Sequence, residues 1–119
     1  MIIALDFQSD VPVYLQLRHQ IVIGIAENKL QLGESLPTTR QLAKDAGINP
    51  MTVSKAYQVL KAEGYITMDR RHGAKVSQEI RNNGFDTLKE SFKLLIAEAK
   101  IKGISYESIQ SYLKSMYEQ

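Results

Sequence analysis

The chain has 119 residues, 44% hydrophobic and 24% charged, with no Cys, no Trp and three Pro, proportions of an ordinary globular domain long enough to bury a core unaided. That length excludes a large two-domain enzyme, and zero cysteine removes disulfide frameworks, thiol nucleophiles, thiolate metal sites and thiol redox sensing; with only His19 and His72 as imidazoles, no metal centre, no Ser/His/Asp triad and no cofactor is expected. The net charge of +2 is mild but uneven: residues 1–37 carry two basic against four acidic side chains, 38–78 seven against three, and 79–119 six against six, so an anionic partner would meet the middle block.

No run approaches the roughly 18 apolar residues of a membrane span, and the first eight residues lack a basic segment followed by a long apolar one. A cytosolic protein with no membrane partner is expected. In chain order, Met1–Asp10 reads as an extended lead-in. Pro12 then opens a first helix offered Asp10 as a start signal, and Tyr14, Leu17, Ile21 and Ile25 recur at helical spacing to about Lys29, with Gly33 as the breaker. Thr38 followed three residues later by Gln41 matches a capping box, so a short second helix should run to Ala46 and stop at Gly47. Asn49-Pro50 opens a third helix, an N-cap and an N1 proline, whose buried stripe is Val53, Ala56, Tyr57 and Leu60.

Gly64 ends that helix. Tyr65–Met68 and Ala74–Ser77 read as two short strands around the turn Asp69-Arg70-Arg71-His72-Gly73. The polar Asn82-Asn83-Gly84 segment punctuates the chain. Asp86 is expected to cap a fourth helix to about Lys102, closed by Gly103, and Ser105 to cap a fifth carrying Tyr106, Ile109, Leu113, Met116 and Tyr117 on one face. The fold class is therefore mainly α with a small β-hairpin: a winged helix-turn-helix domain over residues 1–78, followed by a two-helix dimerisation tail over residues 79–119.

Two short helices joined through Asp45-Ala46-Gly47-Ile48 have the form of a helix-turn-helix, and a preceding helix with a following hairpin makes it a winged helix. The second helix of such a pair can lie in the DNA major groove. Its candidate contacts are Asn49, Pro50, Met51, Thr52, Ser54 and Lys55: Asn and Lys can bond purine edges, Ser and Thr can reach base or phosphate, and Met51 and the Thr52 methyl can pack on thymine methyls. Thr38, Thr39 and Arg40 stand at the start of the preceding helix, where a guanidinium can fork onto phosphate or guanine. In the hairpin, Arg70, Arg71 and His72 adjoin Gly73, a basic tip of the kind that enters a minor groove. The plainer reading of each is a solvated polar surface, since helix-turn-helix patterns also serve protein-interaction domains. Enzymatic chemistry is not expected: Asp6, Asp10, Asp45 and the two His fall in different elements, and no Gly-rich phosphate loop occurs.

Pro12-Val13-Tyr14-Leu15-Gln16-Leu17, Leu36-Pro37-Thr38-Thr39-Arg40-Gln41-Leu42-Ala43, Thr52-Val53-Ser54-Lys55-Ala56-Tyr57 and Leu60-Lys61-Ala62-Glu63-Gly64-Tyr65-Ile66 together resemble the amino-terminal domain of the GntR family of bacterial transcription regulators over about residues 11–77. The Asn49–Tyr57 segment and the short tail are similar to the YtrA subfamily, whose members carry two helices in place of a large effector domain. The resemblance implies operator contacts from Arg40 and from Asn49 to Ser54, and minor-groove reading by His72 and Gly73. It also implies repression of operons encoding ABC transporters. Many members have arginines where Pro50 and Ser54 stand, so the resemblance implies an A·T-tolerant operator with more weight on Lys55, Arg40 and the wing.

Two helices of this length cannot close a core alone. Phe85, Leu88, Phe92, Leu95, Ile96, Tyr106, Ile109, Tyr112, Leu113 and Tyr117 offer more apolar and aromatic surface than one neighbouring helix needs, and a homodimer interface is expected there. The competing reading is a helical hairpin closing a monomeric core. The expected partners are a palindromic double-stranded DNA operator, a second copy of the chain and an unidentified small-molecule effector; the alternative is a helix-turn-helix module that binds protein.

Overall fold

Helix α1, Val13–Ala26, forms where the apolar spacing places it and buries Leu17 and Ile21 completely; the computed structural model describes residues 3–80 and 84–118. Asp10 does not cap it. Pro12 holds the N-cap position without a side-chain bond, and the lead-in is instead pinned by glutamines of the helix. Gln16 Nε2 donates to the Asp6 and Val11 carbonyls at 2.9 and 2.8 Å and its Oε1 accepts from Asp6 N at 2.8 Å, while Gln20 pairs both ways with the Ala4 backbone. The helix also ends before Lys29, because Asn28 takes a left-handed backbone (φ 60°), which Asn tolerates better than most residues. The amides of Lys29 and Leu30 then turn back to the Gly24 carbonyl, and Leu30 enters the core.

Gly33 is no helix breaker but the start of an extended run. Its N–H donates to Val76 O at 2.8 Å, Val76 N to Glu34 O at 2.9 Å and Leu36 N to Ala74 O at 2.8 Å, with Ser35 bridging Lys75. This run flanks the hairpin of β1, Ile66–Asp69, and β2, Gly73–Val76, which pair antiparallel with Ile66 opposite Val76.

Helix α2, Thr39–Ala46, has half of the expected capping box. Thr38 Oγ1 accepts from Gln41 N at 3.1 Å, but the Gln41 side chain reaches forward to Asp45 Oδ1 at 2.9 Å rather than back. Gly47 closes the helix with φ 70°, a conformation that suits a residue without Cβ. Helix α3, Pro50–Ala62, starts under Asn49, whose Oδ1 accepts from Met51 N at 2.8 Å. Val53, Ala56, Tyr57 and Leu60 are buried against α1 and α2. At its far end Glu63 receives both Nε and Nη2 of Arg18 at 2.9 Å, and the guanidinium lies 5.6 Å from the Tyr65 ring centroid. Partial exposure holds that pair to about 1 kcal/mol or less.

Tyr57 joins the start of α2 to α3: its hydroxyl donates to Pro37 O at 2.7 Å. Burial pushes its pKa up to about 12 from 10.0. An acid whose folded pKa lies above its unfolded value contributes stability that is whole below pH 10 and is lost between 10 and 12, on the order of 2–3 kcal/mol. Tyr57→Phe should therefore cost about 1 kcal/mol at pH 7 through the orphaned carbonyl and should show a shallower loss of stability than the parent above pH 10, measured by urea unfolding at each pH.

The chain divides into two compact units, Met1–Asn82 and Asn83–Gln119; the punctuating Asn82 and Asn83 themselves lie outside the described residues. In the second unit a 3-10 turn, Phe85–Leu88, precedes α4, Lys89–Ile101, and α5, Tyr106–Tyr117. Asp86 does not cap α4, since the 3-10 turn puts Leu88 at the N-cap, and its carboxylate pairs with Lys89 at 2.9 Å instead. Ser105 caps α5 by accepting from Ser108 N. Mainly helical with one small hairpin, the architecture is a winged helix followed by two helices.

Candidate nucleic-acid interface

The first turns of α3 are built to present side chains outward. With Asn49 Oδ1 committed to the cap and Pro50 lacking an N–H, the helix needs no other partner at its start, and Met51 is left 78% exposed. Thr52 and Ser54 are half-buried, whereas Asn49, Pro50 and Lys55 are exposed. Met51, Thr52, Ser54 and Lys55 share one open groove with Gln58 and with Val13 and Tyr14 from the start of α1. Lys55 Nζ stands 4.1 Å from the Tyr14 ring centroid, inside cation–π range. Thr38, Thr39 and Arg40 are not among the groove's lining. Of these, Thr38 spends its oxygen on the cap, Thr39 is half-buried and Arg40 is exposed.

The wing tip is organised by Asp69. The Asp69 carboxylate accepts from Arg71 N at 2.6 Å and more loosely from His72 N at 3.4 Å, and lies 3.0 Å from His72 Nδ1. The His72 bond foremost, then the Arg71 amide, hold Asp69 below the usual carboxylate range. A depressed carboxylate pKa means that the bonds persist above the ordinary value and are lost as pH falls through the lowered one. Arg70, Arg71 and His72 are exposed around this turn, and Gly73 (φ 68°) opens β2 with no heavy atom near the place of a Cβ. Asp69→Ala should speed amide hydrogen exchange at Arg71 and His72 several-fold while leaving that of α1 unchanged, as read by NMR.

Val13, Tyr14, Gln58 and Asp69 are the groove and wing residues not proposed from sequence. Tyr14 was absorbed into the apolar stripe of α1, and only the packing of α1 on α3 reveals its second face. The tail candidates Phe85, Leu88, Leu95, Ile96, Tyr106, Tyr112, Leu113 and Tyr117 are exposed, whereas Phe92 and Ile109 are half-buried; Phe92 stacks on Phe85 at 5.8 Å. Leu94 and Ile101, 62% and 85% exposed, join the exposed set. No helix among the described residues is long and apolar enough to cross a membrane.

Residues 13–76 match the family model described as bacterial regulatory proteins, gntR family. The chain belongs to the GntR family. This GntR-family chain is 31% identical over 118 residues to the HTH-type transcriptional repressor YtrA of Bacillus subtilis, covering 96% of the chain and 91% of that protein. Among solved structures it is similar to YtrA of Sulfolobus acidocaldarius, a GntR-family transcription factor, at 33% identity and a TM-score of 0.73 over 85% of this chain and 99% of that one. It is also similar to a protein described as a transcriptional antiterminator from Listeria monocytogenes, at 27% identity and a TM-score of 0.84 over 100% and 91%. The GntR-family chain is thus a DNA-binding transcription regulator and not an enzyme.

Proposed function

We propose that this regulator is a repressor that binds a palindromic operator as a homodimer, with residues 1–78 as the DNA reader and 79–119 as the dimerising tail. The observation that carries the reading is the capped start of α3, which presents exposed Met51 and Lys55 beside Thr52 and Ser54 in one groove. Asn49, Pro50 and these four residues enter the major groove. Arg40, beside Thr38 and Thr39, grips the flanking backbone, and Arg70, Arg71, His72 and Gly73 reach the minor groove. The net charge of residues 38–78, seven basic against three acidic, suits that surface. Phe85, Leu88, Phe92, Leu95, Ile96, Tyr106, Ile109, Tyr112, Leu113 and Tyr117 make the dimer contact, because apolar surface of this extent is seldom left to solvent. The likeness to the YtrA subfamily supports an ABC transporter operon as the regulated target.

Labelled DNA from the protein's own promoter tests this. Specific binding should be tighter than that to random DNA by on the order of a thousandfold, and log affinity should fall with log salt by about 0.9 per neutralised phosphate. Equal affinity for promoter and random DNA would overturn the reading and favour the protein-binding alternative.

A further inference from the structure

The Lys55 ammonium does not stand free on α3: it sits 4.1 Å from the centroid of the Tyr14 ring, across the groove shared by α1 and α3. Tyr14 itself is half-buried and anchored on the core, so its ring is a fixed platform, whereas a lysine stem has four rotatable bonds. An ammonium on a flexible stem must lose rotamer freedom when it contacts phosphate or a base edge. A ring that already holds it restricts those rotamers before the partner arrives. One face of the ammonium meets the π cloud, and its remaining N–H donors stay available beside Thr52 and Ser54, which line the same groove.

Resting on the DNA-reading assignment of α3 proposed above, we propose that Tyr14 is a positioning residue for DNA binding: its aromatic face preorganises Lys55 for contact with the operator. The hydroxyl has no part in this, and the ring is what matters.

The test is a double-substitution cycle on the full chain, read as affinity for a selected operator and for random DNA at one fixed ionic strength, with thermal unfolding of every variant. Tyr14→Leu, which keeps apolar packing but loses the ring, should weaken operator binding roughly two- to fivefold, in line with an exposed cation–π contact. Tyr14→Phe should restore it. In a Lys55→Met background, Tyr14→Leu should change nothing further. An equal loss from Tyr14→Leu with and without Lys55 would overturn the proposal and make Tyr14 structural only; so would an unaltered affinity in Tyr14→Leu, or a Tyr14→Phe chain as weak as Tyr14→Leu. Should Tyr14→Leu unfold, Tyr14→Met takes its place in the same cycle: a loss confined to the chain that retains Lys55 is expected, and an equal loss, or none, in both Lys55 backgrounds would overturn the proposal. A parent chain that binds operator and random DNA equally would instead remove the DNA-reading assignment, and the inference would fall with it.

Discussion

Replacing Leu95 and Tyr112 together by Glu is expected to break the proposed dimer into monomers at micromolar concentration and to weaken operator binding by roughly a hundredfold or more. The two side chains are 60% and 62% exposed on α4 and α5, so neither substitution opens a cavity or disturbs the core of the first unit, and the secondary structure should be kept. In an interface, however, each would place a carboxylate in an apolar contact, and charges are depleted at interface centres for that reason. The loss on DNA is large because a dimer binds its second half-site intramolecularly, and such linkage typically raises overall affinity by about 10² to 10⁴. Sedimentation together with operator binding checks this. An unchanged sedimentation coefficient and unchanged affinity would remove the tail from the interface.

Arg40→Ala should weaken operator binding by on the order of tenfold, as expected for loss of a guanidinium contact worth about 1–3 kcal/mol. Arg40 stands at the second position of α2, exposed, and forms no ion pair among the described residues. Its removal should therefore leave the melting temperature within about a degree of the parent, since surface substitutions away from structural contacts are usually neutral. A phosphate contact predicts equal weakening on operator and random DNA and a salt slope smaller by about one; a guanine contact predicts loss on the operator alone. Unchanged affinity for both would take Arg40 out of the interface.

The elements legible in the sequence are those fixed by local chemistry. Thr38, Asn49-Pro50 and Ser105 satisfy amides within three residues of themselves, and Gly47 supplies a left-handed turn, so their spacing alone announced the helix starts and the turn of the helix-turn-helix. Where local signals compete, spacing alone does not decide the helix start. Asp10 and Asp86 were plausible caps, but Pro12 and a 3-10 turn occupy the helix starts. Asn28 rather than Gly33 ends α1, through its left-handed backbone, while Gly33 stands alongside Val76 in the flanking extended run.

The candidate interface divides along the same line. Met51 to Lys55 could be named from helix phase once Asn49 was recognised as the cap. The Tyr14–Lys55 contact could not, since it joins residues about forty positions apart through the packing of α1 on α3. The role of Asp69 needed the closed geometry of the hairpin, where one carboxylate meets two backbone amides and an imidazole. Contacts made across the fold were hidden and most contacts made along the chain were not, the turn that Asp69 closes on Arg71 and His72 being the local exception.

In the proposed complex two copies of this winged helix read one palindrome. Hydroxyl-radical footprinting of the full chain on a DNA sequence selected from a random pool tests it most directly. Two protected half-sites related by a dyad, centred about 10 base pairs or a multiple of that apart, are the predicted result. A single protected half-site at saturation, or selection that returns no dyad, would contradict it.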